Sequence, residues 1–147
     1  MLPIKKILYP TDFSQASYEA LKVANELGLH FSAELHIVHV ISLSAIATDV
    51  TAASAIEEMT TTAETSFQQI IKERIPKELH VRQTIAVGAA ADEILKIAQK
   101  DKVDLIVIGT HGQTGWRHLV FGSVAEKVVR LAACPVLSIR APRERVA

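Results

Sequence analysis

The stretch LIVIGTHGQTGWRHLVFGSVAEKVVRLAACPVLSI, residues 105–139, contains a complete unit of strand, loop, helix and strand. Leu105 to Ile108 form a short apolar run that reads as a strand, and Val136 to Ile139 form another. Between them Val124, Val128, Val129 and Leu131 keep helical spacing, and the helix stops before Cys134-Pro135. Strand-helix-strand units of this kind are the mark of a parallel sheet, in which the helix carries the chain back to the same end of the sheet. Runs that are apolar on both parities, or nearly so, also fit strands covered by helices on each face.

Working outward, the same alternation covers the rest of the chain. Ile7 to Tyr9, with Ile4 before them, read as a first strand, Leu35 to Ile41 as a second and Val81 to Val87 as a third. Ala16, Ala20, Leu21, Ala24 and Leu27 mark a first helix, with Ser14 placed to cap it and Gly28 placed to end it. A longer helix carries Ile56, Met59, Ala63, Phe67, Ile70, Ile71 and Ile75 and is terminated by Pro76; a third carries Ile94, Leu95 and Ala98. Five strands and four crossover helices, all right-handed, predict an open doubly wound α/β fold: a five-stranded parallel sheet in the order 3-2-1-4-5, in one domain over residues 1–147. Ligands of such sheets sit outside the carboxyl ends of the strands where the order reverses, here between strands one and four. The Ala-, Ser- and Thr-rich stretch from Ser42 to Thr65 interrupts the rhythm, and its first part, Ser42 to Ala55, is expected to be a mobile surface segment.

Composition narrows the partners. Lys plus Arg and Asp plus Glu each number 16, so the formal net charge is zero and the chain has no global electrostatic footprint for nucleic acid or an anionic membrane. The single cysteine, Cys134, cannot form an internal disulfide, which agrees with a reducing, cytoplasmic setting. The N-terminus MLPIKKILYPTDFS lacks the apolar core of a secretory signal, and no window offers the roughly 18 or more apolar residues of a membrane span.

Two candidate segments fall at the predicted switch point. Pro10-Thr11-Asp12 follows strand one, and Gly109-Thr110-His111-Gly112 follows strand four, with Gly122-Ser123 after nine intervening residues at a helix start. Glycines permit close backbone approach or positive φ, and a helix start offers unpaired N–H groups and the positive end of the dipole, a combination suited to phosphate. The familiar phosphate motifs do not apply. No Gly-Lys occurs for a Walker A loop, and Pro-Thr-Asp stands where a dinucleotide fingerprint would need Gly-x-Gly-x-x-Gly. Each candidate has a second reading: Ser123 with Glu126 spells a capping box, Asp12 can bond its own turn, and His111 between glycines has no partner carboxylate in sequence. His36 and His39 lie three apart on a strand and so face opposite ways; with no His-x-x-x-His pair and no cysteine cluster, the residues argue against a zinc site. The run WRHLVF, Trp116 to Phe121, reads either as packing beneath the loop or as a partner surface or phosphate gate.

KKILYPTDFS, LHIVHV, DLIVIGTHGQTG and GSVAEKVVRLAACPVLSI together resemble the universal stress protein family across essentially the whole chain. The family's nucleotide pattern, Gly-x2-Gly-x9-Gly-[Ser/Thr], is met by Gly109, Gly112, Gly122 and Ser123, which resembles the ATP-binding subgroup. The resemblance implies an adenine nucleotide alpha hydrolase-like fold and a cytoplasmic, ATP-binding stress-response module, a homodimer paired through the last strand, with Mg²⁺ or Mn²⁺ accompanying the nucleotide. It implies that Asp12 lies near the ribose and helps hold the metal, and that Val40 meets the adenine. It further implies that Gly109 lies against the ribose, that Gly112, Gly122, Ser123 and Val124 offer N–H groups to the phosphates, and that Pro10, Thr11 and Ile108 complete the walls; His111, a further nucleotide-site candidate, reads from its setting as orienting or solvated and not as catalytic. Three function classes stay open: a regulatory ATP-binding module with at most slow hydrolysis, a true ATPase or nucleotidyl-transferring enzyme, and a dimeric interaction protein that binds no nucleotide.

Overall fold

The computed structural model describes residues 3–43, 52–110 and 122–141. Along the chain stand β1 (Lys6–Pro10), α1 (Gln15–Phe31), β2 (Glu34–Ser42), α2 (Ala52–Arg74), β3 (Val81–Gly88), α3 (Ala90–Lys100), β4 (Leu105–Gly109), α4 (Ser123–Leu131) and β5 (Val136–Ile139). The strands form one five-stranded sheet in the order β3-β2-β1-β4-β5, and every pair is parallel. This is the topology expected from the alternating runs.

Strand parity divides the core into two halves, one on each face. Ile7, Tyr9, Leu35, Ile37, Leu105 and Val107 pack with Ala20, Leu21 and Ala24 of α1 and Phe67 and Ile70 of α2. Leu8, Val38, Ile106 and Ile108 pack on the other face with Ala91, Ile94 and Ala98 of α3 and Ala125 and Val128 of α4. Side chains alternate across a strand, so a run apolar at every position supplies both halves at once. Each fully buried large side chain contributes about 1.5–3 kcal/mol relative to exposure, which makes the three central strands the stable frame of the molecule. The outermost strand β5 is less covered, with Leu137 38% exposed, so its apolar run does not bring burial on both faces.

Two helix boundaries differ from the sequence reading. Gly28 does not end α1: the helix continues to Phe31, and Ser32 takes the left-handed conformation (φ 53°, ψ 44°) with its N–H on the Gly28 carbonyl. The glycine instead lies inside the helix against Leu79, whose Cδ2 would stand 2.8 Å from a Cβ placed there. The cap at the other end is as expected, with the Ser14 hydroxyl accepting from the Ser17 N–H at 3.1 Å. α2 begins at Ala52, one turn before Ile56, so the end of the Ser42–Ala55 stretch is helical. Its threonines at 60, 61, 62 and 65 return their hydroxyls to the carbonyl four residues earlier, satisfying them without leaving the helix. Residues 44–51, on which the expectation of mobility falls, lie outside the described residues.

Candidate nucleotide site

The turn after β1 is fastened from every side. The Thr11 N–H donates to the Val38 carbonyl at 2.8 Å, and the Thr11 hydroxyl lies 2.9 Å from that of Ser17 and accepts from the Phe13 N–H at 3.0 Å. His39 Nδ1 stands 2.8 Å from the Thr11 carbonyl. One residue further, the Ser14 N–H donates to Asp12 Oδ1 at 3.0 Å, so the expected turn bond of Asp12 is present at that oxygen. Phe13 adopts φ 63°, a left-handed conformation that costs a bulky residue of order 1 kcal/mol. Its ring is held between His39, with centroids 4.5 Å apart, and Phe67, at 5.5 Å.

At the carboxyl end of β4, Gly109 serves packing. A Cβ at this position would approach the carbonyl oxygen of Ala16 to 3.2 Å and Ser17 Cα to 3.5 Å, so the missing side chain admits the first turn of α1. Thr110 follows, buried, with its N–H on the Ile139 carbonyl at 2.9 Å and its own carbonyl accepting from the Gly122 N–H. The helix start differs from the capping-box reading. Gly122, at φ −67° and ψ 158°, is the N-cap, no side chain caps α4, and Ser123 is already inside the helix. With the Gly122 N–H taken by Thr110, the first-turn N–H groups that lack an acceptor within the helix are those of Ser123, Val124 and Ala125.

These segments enclose a cleft of about 300 Å³ at the carboxyl end of the sheet. Pro10, Thr11, Asp12 and Ser17 line it from β1 and α1; Val38, His39 and Val40 from β2; and Ala90 and Ile94 from α3. Ile108, Gly109 and Thr110 line it from β4, and Gly122, Ser123, Val124 and Ala125 from α4. Of the sequence candidates, Pro10, Thr11, Asp12, Val40, Ile108, Gly109, Gly122, Ser123 and Val124 therefore meet around one space. His111, Gly112 and the Trp116–Phe121 run lie outside the described residues. Sequence reasoning missed Ser17, Val38, His39, Ala90, Ile94, Thr110 and Ala125. His39, adjacent to Val40 at the end of β2, was the legible one.

The electrostatics are those of backbone and one carboxylate. Among the described residues no lysine or arginine lines the cleft, and Asp12 is its only acidic side chain. No group of three His, Cys, Asp or Glu stands together as a metal cage among the described residues. The hydroxyls and the Asp12 carboxylate are hard oxygen donors, a set that fits a Mg²⁺ or Mn²⁺ carried mainly by phosphate oxygens and water. Beside the cleft, Tyr9 donates to the Ser17 carbonyl at 2.7 Å, and burial pushes its pKa up to about 12. His36, on the opposite face from His39, is buried with Nε2 2.7 Å from Thr84 Oγ1 and Nδ1 3.3 Å from Asp101 Oδ2; burial holds its pKa below the ordinary value.

A parallel sheet wound on both faces, with a cleft at the point where its strand order reverses and a helix start opening into it, defines a doubly wound α/β protein, and ligands of such folds sit at that switch point. The chain belongs to the universal stress protein family, whose sequence profile matches residues 3–140. It is 35% identical over 144 residues to universal stress protein MJ0531 of Methanocaldococcus jannaschii, covering 95% of this chain and 84% of that protein. The solved structure of MJ0577, a universal stress protein of the same organism, superposes with a TM-score of 0.90 at 33% identity, over 97% of this chain and 100% of that one. A universal stress protein of Archaeoglobus fulgidus, solved in complex with dAMP, shares the fold with a TM-score of 0.63 at 22% identity, over 94% of this chain and 98% of that one. No described helix is long and apolar enough to cross a membrane.

Proposed function

We propose that the cleft binds ATP and that the protein acts as a nucleotide-binding stress-response module, with at most slow hydrolysis. The observation that carries the reading is the uncapped start of α4, which turns the N–H groups of Ser123, Val124 and Ala125 toward a cleft that also holds Asp12 and Val40. Such a helix end binds anions through its N–H groups and its dipole together, which supplies phosphate affinity without a lysine or arginine. Asp12 is suited to accept from ribose hydroxyls, and Val38, Val40 and Ile94 offer apolar surface to a purine. A protein of the same fold from Archaeoglobus fulgidus holds dAMP, in keeping with a nucleotide of this class.

Mg²⁺ or Mn²⁺ would enter with the triphosphate and be held by Asp12 and phosphate oxygens, neutralising charge that the described lining, without lysine or arginine, leaves uncompensated. The reading of slow hydrolysis rests on the donor set: backbone N–H groups bind phosphate and stabilise it, but they neither deprotonate a water nor follow charge onto a leaving group. Denaturing the purified protein and chromatographing the released small molecules tests the binding; adenine nucleotide is expected. Neither released nucleotide nor an ATP titration signal would refute the reading. Turnover with Mg²⁺ of order 1 per second or more, a usual enzymatic rate, would contradict the regulatory assignment.

The same reading includes a homodimer through β5. That strand is an outer edge with Leu137 38% exposed, and Leu131 of α4 is 52% exposed. An uncovered apolar edge is suited to pairing with its own copy across a two-fold axis. Sedimentation should give a dimer and the Leu137→Asp variant a monomer; a monomeric wild type would refute it.

A further inference from the structure

We infer that His39 is a positioning residue for ribose recognition, holding the turn that presents Asp12; the inference rests on the nucleotide reading of the cleft. A carbonyl oxygen can only accept, so the 2.8 Å contact with Thr11 requires that His39 carry its proton on Nδ1. Nε2 is then the unprotonated nitrogen of the neutral ring. The Thr11 carbonyl belongs to the peptide unit that leads into Asp12, and that unit is planar, so fixing this oxygen fixes the plane from which the Asp12 side chain departs. Thr11 is buried, and its N–H and hydroxyl are already committed to Val38, Ser17 and Phe13. His39 therefore supplies the bond that satisfies the remaining polar group of a turn whose next residue, Phe13, is strained. The ring also packs against Phe13, tilted by 37° with centroids 4.5 Å apart, tying the end of β2, where Val40 stands, to the turn after β1, where Asp12 stands. Val40 and Asp12 are the residues proposed for the base and the ribose, so His39 sets the distance between the two.

Two measurements test this. Long-range ¹H–¹⁵N spectra of the full chain, labelled at histidine and free of nucleotide, should show His39 as the Nδ1–H tautomer; an Nε2–H tautomer would overturn the inference whatever the nucleotide result. Binding of ATP and of 2′,3′-dideoxy-ATP is then compared for wild type, His39→Leu and His39→Asn, with thermal melting to confirm folding. His39→Leu is expected to weaken ATP by about tenfold, the worth of one buried hydrogen bond, while leaving the dideoxy analogue nearly unchanged. Asn places an amide N–H near the Nδ1 position and should restore ribose discrimination. Equal losses for both nucleotides, or failure of His39→Asn to rescue in a folded protein, would overturn the positioning role. A wild type that binds neither nucleotide overturns the nucleotide reading and this inference with it, and that outcome is distinct from a wild type that binds both while the variants do not discriminate.

Discussion

Replacing Gly109 by alanine separates two roles that one glycine can play. The added Cβ would meet the Ala16 carbonyl oxygen at 3.2 Å and Ser17 Cα at 3.5 Å, both backbone atoms in the first turn of α1. That turn cannot recede freely. Ser14 caps it, Tyr9 donates to the Ser17 carbonyl at 2.7 Å, and the Ser17 hydroxyl lies 2.9 Å from that of Thr11. Relief of a few tenths of an ångström must shift the turn as a body, and overpacking of this size costs about 1–2 kcal/mol. For a domain of this length each kcal/mol moves Tm by about 2–4 °C, so Gly109→Ala should melt about 2–8 °C lower than wild type. Because the turn carries Ser17, which lines the cleft, nucleotide affinity should fall with it. Urea and thermal unfolding measure the first effect and ATP titration the second. An unchanged Tm with lost binding would refute the packing argument and return Gly109 to a role in ligand approach alone.

Other perturbations follow from the same geometry. Gly122→Ala should lower stability by only a few tenths to about 1 kcal/mol, since its φ of −67° suits any residue, while ATP affinity drops about tenfold if phosphate approaches this helix start; intact binding would place the phosphates elsewhere. His36 is held below its ordinary pKa first by burial, against the pull of Asp101 and Glu34 and together with Arg82 and Lys6. Its neutral form is thus the native one, its contribution is complete above the ordinary value of 6.5, and stability falls as pH drops from there toward the lowered pKa. Urea midpoints from pH 7.5 to pH 5 should show this slope, and His36→Gln should flatten it. Tyr9, raised to about 12, stabilises the fold in its neutral form below pH 10, and that contribution is lost as pH rises toward 12. Phenolate absorbance should titrate late for one tyrosine and lose that step in Tyr9→Phe.

The strand order was open to reading because the apolar runs are short, separate and joined by segments of helical period, leaving right-handed crossovers few alternatives. Val136 to Ile139 match β5 residue for residue, and Ser14 caps α1 as its place before the periodic run requires. Where sequence reading and structure differ, contacts between distant residues are the cause. Gly28 carries the signal of a helix end, but the left-handed turn comes only at Ser32, and Gly28 stays within the helix against Leu79, far along the chain. Of the two readings of Ser123, the capping box is absent: the Thr110 carbonyl accepts from the Gly122 N–H, and Gly122 stands at the N-cap. The cleft was half legible, since Asp12 and Gly122 announce themselves by residue type while Ala90 and Ile94 reach it only through the docking of α3. His39 belongs between these cases: its position beside Val40 is visible in sequence, but its bond to Thr11 depends on two strands lying side by side.

Calorimetric titration of the nucleotide-free protein with ATP, in the presence and absence of Mg²⁺, bears most directly on the proposed function. A single site per chain, weakened by Gly122→Ala and without turnover near 1 per second, is the expected result. No heat and no saturable binding under either condition would contradict it.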